Sequence, residues 1–461
     1  MLRWFDERLG AASWARAGLR KIFPDHWSFL LGEVALFCLV VLVATGVFLT
    51  LFYVPDAREV QYAGPWDPLR GQQVSAAFDS VMKLSFEVRA GLVMRQIHHW
   101  AALVFVAAIT VHLLRVFFTG AFRKPREINW LLGIGLLTLA LAMGITGYSL
   151  PDDLLSGTGL RVIYSVVLSI PFIGPYLAFL VFGGEFPTTE IISRLFVFHV
   201  MLLPAVLLGG VALHIAILWR QKHTQYRIPG ATEENVVGRA FWPSQVFKST
   251  ALAILTAAVL ALMGGLIQIN PIWTYGPFDA TTVSAPAQPD WYVGWLDGAL
   301  RLFPPIEITA LGVTIPSPFI PGLLVPGLLF GVMTLWPFIE ARVTHDGAEH
   351  HLLDRPRDRP LRTSLGIAGL LVFVMLTLAG GNDVAAIIFN IPVETMTNVL
   401  RAAVFVVPIL GFAVTYRICL ELRHGELHPL QRSPGVRLRR TADGGYEEIP
   451  DSDLEVRPRE E

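Results

Sequence analysis

Hydrophobic positions in this chain come in long unbroken runs rather than in the one-sided stripes of soluble helices. A bilayer crossing takes about 20 residues of helix. Eight runs meet or approach that length: 28–53, 97–119, 129–150, 195–219, 249–269, 319–339, 365–381 and 402–416. The last two are the shortest. Between the third and fourth, two more apolar stretches, 160–170 and 173–182, are punctuated by Pro171, Gly174 and Pro175 and should lie along the membrane surface. The pattern predicts an all-α polytopic membrane protein of about eight transmembrane helices.

Composition agrees. Of 461 residues only 16% are charged and 53% are hydrophobic, with a mean hydropathy of +0.54. Soluble domains carry roughly 25% charged residues, so the charge needed to coat a soluble enzyme of this length is missing. The 36 Lys+Arg against 37 Asp+Glu leave a net charge of −1, with no reason to expect nucleic acid as a partner. Cys38 and Cys419 are too few and too far apart for a disulfide framework, a zinc knuckle or a CxxC motif.

Loop charges orient the spans. Arg123, Lys124 and Arg126 follow the second run, beside Arg115 at its end. Arg220, Lys222, Arg227, Arg239 and Lys248 follow the fourth, and Arg342, Arg355, Arg357, Arg359 and Arg362 the sixth. The opposite side has only Arg161, Arg194 and Arg301 before Arg401, apart from a first loop whose basic residues mostly have acidic neighbours. The positive-inside rule then puts both termini in the cytoplasm. Residues 1–27, with Arg3, Arg8 and Arg16 among Trp4, Phe5 and Trp14, read as an interfacial helix. The Arg- and Glu-rich residues 433–461 read as a cytoplasmic tail with little order of its own.

Five histidines fall inside the spans, where ionisable side chains are costly and usually functional. His98 and His112 are 14 residues apart, which returns within about 40° of one helix face; His199 and His214 are 15 apart, within about 60°. Both intervals rise about 21–22 Å. The second and fourth spans run in the same direction, so the four residues can form two His–His pairs at two depths, His98 with His199 and His112 with His214. That is what six-coordinate haem iron needs. His99 points about 100° away from His98. Gly32 and Gly46 on the first span, and Gly133 and Gly147 on the third, repeat the 14-residue interval and would let a flat macrocycle approach the backbone. Arg95 and Arg115 each stand three residues from a ligand, and serve equally well as propionate partners or as ordinary interfacial arginines. Residues 28–225 thus predict a di-haem four-helix bundle, and 226–432 a second four-helix membrane region.

At this point the residues resemble the cytochrome b subunit of quinol–cytochrome c oxidoreductase (bc-type) complexes. Arg95-Gln-Ile-His98 with His112-Leu-Leu-Arg115 is similar to that family's second-helix signature. Gly147-Tyr148-Ser-Leu-Pro151, with Ser156 and Gly159, resembles the start of its quinol-site surface helix, and Phe198-His199 through His214 its fourth helix. Pro289-Asp290-Trp291-Tyr292 stands where the family has Pro-Glu-Trp-Tyr. The 15-residue interval and the 150–160 and 219–225 segments are similar to the menaquinol-oxidising actinobacterial type.

The resemblance implies a respiratory enzyme subunit in a bacterial cell membrane, with proton translocation coupled to electron transport. Quinol would be oxidised at the outer face between Pro289–Tyr292 and the helix near Gly159. One electron would go to a Rieske-type iron–sulfur subunit and on to a cytochrome c subunit. The other would pass through two b-type haems to a quinone at the cytoplasmic face. A homodimer is implied, and a terminal oxidase is left open as a further partner. The family's split, plastoquinol version carries a covalent haem on a cysteine; Leu30 occupies that place here and Cys38 lies eight residues deeper, so no covalently bound haem is expected.

Two proton roles follow from chemistry. Asp290, with Tyr292 and Tyr148 as neighbours, is expected to accept a proton from quinol, unless it only caps the helix beginning at Trp291. Arg220, Lys222 and His223 could supply protons to the inner quinone, or be a positive-inside cluster without chemistry. Two other readings would share the histidines: a di-haem membrane anchor of another dehydrogenase, which would not explain the 289–292 loop, and a transporter with histidine relays, which would hold no haem.

Overall fold

The computed structural model describes residues 2–282, 288–310, 312–427, 437–440 and 446–449. Among the described residues, eight helices are long and apolar enough to cross a membrane: Trp27–Thr50, Gly91–Phe118, Glu127–Tyr148, Ile191–Gln221, Phe241–Leu266, Ile320–Thr344, Pro360–Gly380 and Val393–Arg423. Each expected run falls on one of them, six overrunning a helix end by one to three residues. The shortest run grows most, because the 402–416 stretch continues into polar ends that the helix carries beyond the hydrocarbon. Two helices lie between spans three and four, Leu154–Leu168 and Gly174–Phe182, separated where Phe172 takes φ 63°.

Packing pairs span one with span two and span three with span four, and span five seals the first pair. The buried side chains between them are small or apolar: Ala35, Cys38, Leu39, Ala101, Val106, Ala140, Leu207 and Leu260. Large side chains such as Val47, Ile254, Leu328, Phe405 and Ile409 point outward instead, as lipid-facing helices require. Spans seven and eight pack together, and the amphipathic helix Trp291–Leu302 lies against span seven. Gly298 permits that approach: a Cβ there would stand 1.8 Å from the Leu376 carbonyl oxygen.

The loops are more structured than their composition suggested. The N-terminal segment is two helices, Leu2–Leu9 and Ala11–Leu19, rather than one, broken at Gly10 with φ 58°. After it, Ile22–Phe23 pairs with Arg239–Ala240, tying the N-terminus to the loop before span five. The loop between spans one and two folds as a ladder of Glu59–Gln61 with Gln73–Ser75 and the helix Ala76–Phe86. Three of its basic residues are neutralised locally, by Arg58–Asp56, Arg70–Asp67 and Lys83–Asp79 pairs at 3.7, 2.9 and 2.8 Å. In the tail, Arg437–Arg440 and Tyr446–Ile449 form an antiparallel ladder, and its remaining residues lie outside the described ones.

On the opposite face the arginines are not simply solvated. Asp354, 4% exposed, takes Arg362 at 2.6 Å, Arg123 at 3.2 Å and Arg359 at 3.2 Å, and Arg362 also reaches Glu340 at 2.9 Å. One carboxylate thereby joins the loop after span two, the loop after span six and the start of span seven.

Candidate functional site: two histidine pairs and an outer cavity

His98 and His199 face each other, ring centroids 6.3 Å apart and planes at 72°. The Nδ1 of His98 meets the Thr45 hydroxyl at 2.9 Å; that of His199 meets the Thr146 hydroxyl at 3.2 Å and the Met143 carbonyl at 3.1 Å. Thr45 and Thr146 sit on the neighbouring spans one and three, so each ring is oriented by the helix beside it. Nε2 is then the nitrogen without a protein partner among the described residues, the arrangement in which an imidazole ligates metal. His112 and His214 lie deeper, close enough for their charges to interact.

The glycines stand where the spacing put them, but against the imidazoles themselves. A Cβ on Gly46 would be 3.3 Å from Cε1 of His98, and one on Gly32 3.4 Å from Cε1 of His112. On Gly147 it would be 2.4 Å from Cε1 of His199, and on Gly133 3.8 Å from Cε1 of His214. Only Gly147 excludes a side chain outright; a Cβ on Gly46 or Gly32 would be tight against its ring, and one on Gly133 would make ordinary contact.

The 15-residue interval on span four also has a local cause. Phe198–Leu202 is a π-turn in which the Leu203 N–H reaches back to the Phe198 carbonyl. Pro204 has no N–H for Val200 and its ring crowds that carbonyl, which favours the wider turn. The turn absorbs one extra residue, so His199 and His214 regain the phase of a 14-residue interval.

These residues fit a haem better than a bare metal ion. Among the described residues no group of three or more histidines, cysteines or carboxylates gathers, so the histidines are available only in twos. Arg95, buried, gives Nη2 to the Asn270 carbonyl at 3.0 Å and keeps Nε without a partner. Arg115 stands 4.2 Å over the Phe29 ring with Nε and Nη2 buried and unpartnered. Buried donors of this kind call for an anion.

Beside the outer pair, a cavity of about 210 Å³ opens between the surface helix (Leu155, Gly159, Val162), Tyr148 of span three, and Pro289, Asp290 and Tyr292. A cavity of about 150 Å³ admits benzene, so this one takes a ring-sized head group. Asp290 is the N-cap residue of the helix that begins at Trp291, yet makes no side-chain cap. Its carboxylate faces the cavity instead, within 3.0 Å of His99 Nε2 through both oxygens, and accepts the Tyr292 hydroxyl at 3.2 Å. The capping alternative is thereby removed. Tyr148 lines the cavity and meets the His99 ring edge-on, centroids 6.4 Å apart, rather than bonding Asp290. Burial raises the Tyr292 hydroxyl well above its ordinary range, so it acts as a hydrogen-bond donor.

Sequence reasoning missed part of this wall. His99 was set aside as pointing away from the ligand face, and its partner lies 191 residues on. Asp297 and Arg301 also line the cavity; Arg301 Nε meets Asp297 at 2.8 Å and its Nη1 meets Asp383 at 3.0 Å, while Gln288 donates to Asp383 at 2.7 Å. A seven-residue step from Asp290 on one helix face was the available signal for Asp297.

At the inner end the expected trio separates. Arg220 and Lys222 are exposed, and Lys222, with φ 65°, ends the span. His223 turns inward against Phe23, centroids 4.3 Å apart, and its Nε2 is buried without a partner. Burial, aided by the charges of Lys21, Arg126 and Arg115, pulls His223 down to about 4, which favours the uncharged ring.

A helical membrane protein with two stacked histidine pairs and a ring-sized, acid-lined cavity beside the outer pair is the class this fold and site define. Residues 103–277 match the family model described as Cytochrome b(N-terminal)/b6/petB. The Cytochrome bc1 complex cytochrome b subunit of Streptomyces coelicolor is 48% identical over 421 residues, 91% of this chain and 77% of that one. The subunit of the same name from Corynebacterium diphtheriae is 48% identical over 426 residues (92% and 79%), and that of Mycobacterium tuberculosis 47% over 447 (96% and 81%). Among solved structures, a chain of a "Hyperthermophilic respiratory Complex III" shares the fold with a TM-score of 0.65 at 21% identity, over 92% of this chain and 100% of that one. The chain belongs to the cytochrome b subunits of cytochrome bc1 complexes, multi-pass membrane proteins of respiratory electron transport that bind b-type haem. These relatives bear out the bc-type reading over the dehydrogenase anchor and the transporter.

Proposed function

We propose that this chain oxidises a membrane quinol, of the menaquinol type, in the outer cavity and sends one of the two electrons inward. His98 with His199 would hold an outer b-type haem and His112 with His214 an inner one, both without covalent attachment. When bound, the haems supply one-electron carriers across a region where the protein offers none. The chain's own residues do the rest. Thr45 and Thr146 orient the outer ligands, Arg95 and Arg115 meet buried negative charge, and the cavity excludes bulk water from the quinol ring.

Asp290 is the proton acceptor in this reading. A quinol hydroxyl between Tyr148 and Asp290 gives its proton to a carboxylate oxygen, and His99, bonded to the same group, offers the next station. Tyr292 holds the carboxylate by donating to it. The other electron passes to a Rieske-type iron–sulfur subunit and a cytochrome c subunit, with a second copy of the chain completing a dimer. A quinone is reduced near His223 at the cytoplasmic face, where both termini lie; Arg220 and Lys222 contribute positive charge there rather than proton delivery.

The observation that carries the reading is that Asp290 spends its carboxylate on the cavity and on His99 instead of on its own helix. Asp290→Asn tests it. Asparagine keeps the size but cannot take the proton, so steady-state quinol oxidation should fall about 10²- to 10⁴-fold with both haem spectra unchanged. Full activity with an unaltered pH profile would overturn the assignment.

A further inference from the structure

The N-terminal segment lies along the loop after span four. Phe23 packs on His223, centroids 4.3 Å apart, and His26 packs on Tyr226, centroids 4.4 Å apart. A hydrogen-bonded chain runs through the second contact. The exposed His26 meets the Ser28 hydroxyl through Nδ1 at 2.9 Å, and that hydroxyl meets the Tyr226 hydroxyl at 3.1 Å. Ser28 is 3% exposed, so the chain leads from the surface into the interior. Tyr226 then packs on Phe29, centroids 5.8 Å apart, and Arg115 stands 4.2 Å over the Phe29 ring. Capping explains only part of this. His26 Nδ1 accepts the Ser28 N–H at 3.2 Å at the head of the turn Trp27–Leu30. A cap needs only an acceptor, which Ser, Asn or Asp supplies well, and it does not join Ser28 to Tyr226.

The position matters because a quinone reduced at this end takes up two protons with its two electrons, and His223 is turned inward with Nε2 buried. We propose that His26, Ser28 and Tyr226 form a proton relay from the aqueous phase at the inner end to the quinone reduced there, an inference that rests on the inner-quinone reading above. For each proton, one from water binds Nε2 of His26 while Nδ1 gives its own to Oγ of Ser28. Ser28 passes its hydroxyl proton to the Tyr226 oxygen, and Tyr226 passes its own to a quinone oxygen. Every O–H bond broken is replaced, and the electrons arrive through the inner pair. His26 is left with Nε2 protonated and Nδ1 bare, the form that accepts the Ser28 N–H. Exchange with water restores the other tautomer.

The surroundings suit a carrier. Imidazole is the side chain that gains and loses a proton near neutral pH, and its two nitrogens let one face water while the other faces the chain. Partial burial and the charge of Arg115 hold His26 below its ordinary value, which favours the uncharged ring between transfers. The neighbouring Asp25 is held below the ordinary carboxylate value by Lys248 and by Arg239, the latter at 2.7 Å, so it is the poorer carrier near neutral pH. Both links of the chain lie within hydrogen-bond distance.

The test uses the assembled complex in phospholipid vesicles with a pH-indicating dye on the side of the inner pair. Reoxidation of the inner haem by quinone and proton uptake are followed together. Tyr226→Phe keeps the ring contacts with His26 and Phe29 and removes the hydroxyl. It should slow both rates about 10²-fold, with both haem spectra and the reduction of the outer haem by quinol unchanged. His26→Asn keeps an acceptor for the Ser28 N–H but carries no proton, and should be as slow. Added imidazole should restore His26→Asn, because that position is open to solvent, and should leave Tyr226→Phe slow. Unchanged rates in either variant, no recovery of His26→Asn, or equal recovery of both would overturn the proposal. If either variant fails to assemble, Ser28→Ala, which removes a single oxygen, decides by the same two rates: both slowed supports the relay, and either unchanged overturns it. An inner haem that quinone does not reoxidise in the unaltered complex would instead sink the inner-quinone reading.

Discussion

At the scale of single residues, the chemistry depends on which nitrogen or oxygen is left without a protein partner. Thr45 and Thr146 occupy Nδ1 of the outer histidines and leave Nε2 free, while the Asp290 carboxylate, unused as a cap by the helix beginning at Trp291, goes to His99 and Tyr292. His112→Leu follows from the same accounting. It removes one ligand of the inner pair and preserves volume, so the purified complex should show one low-spin haem in place of two, with the outer haem retained. Two intact haems in that variant would defeat the pairing. The paired histidines were legible from spacing alone, because helix periodicity ties 14 residues to one face. His99 was not, because its role comes from Asp290, which only the fold brings to it.

At the scale of helices, glycine spacing and a π-turn decide how closely the spans approach the rings. The four glycines do not carry equal loads. Gly147→Ala places a methyl group 2.4 Å from Cε1 of His199, well inside contact, whereas Gly133→Ala places one at an ordinary 3.8 Å from Cε1 of His214. The first variant should therefore lose or distort the outer haem, seen as a shifted or missing band in the reduced-minus-oxidised spectrum. The second should keep both haems. The reverse order would mean that the rings do not sit as described. The repeat of glycines was visible in the sequence, but its unequal weight was not, since the distance from ring to backbone depends on how spans three and four pack. The π-turn at Phe198–Leu202 similarly turns an apparent misfit of phase into a match.

At the scale of the whole molecule, the side opposite the outer cavity is closed by ions as well as by apolar packing. Burial alone would raise Asp354, but Arg362, Arg123 and Arg359 hold it below the ordinary carboxylate value. Asp354→Asn leaves buried guanidinium groups uncompensated and should cost about 3–5 kcal/mol, read as a lower midpoint of thermal unfolding in detergent at neutral pH. Because the folded-state value is depressed, the stabilisation is complete above the unfolded carboxylate pKa of about 3.9 and is lost as pH falls through the folded one. The gap between the unaltered chain and the variant should narrow below about pH 4. A gap that stays constant into acid would place the loss elsewhere than in the Asp354 charge.

The sequence by itself determined the membrane class, the eight crossings, the paired histidines and the loop that carries Asp290. Each of these rests on local quantities: run length against bilayer thickness, charge content, and the 3.6-residue period of a helix. The tertiary structure alone decided what Asp290 does with its carboxylate, that His99 and Asp297 belong to the outer cavity, that Arg220 and Lys222 part from His223, and that Asp354 gathers arginines from three segments. Those contacts join residues as far apart as Arg123 and Asp354. No periodicity reports them, because they are set by which helix faces meet after the apolar surfaces have packed.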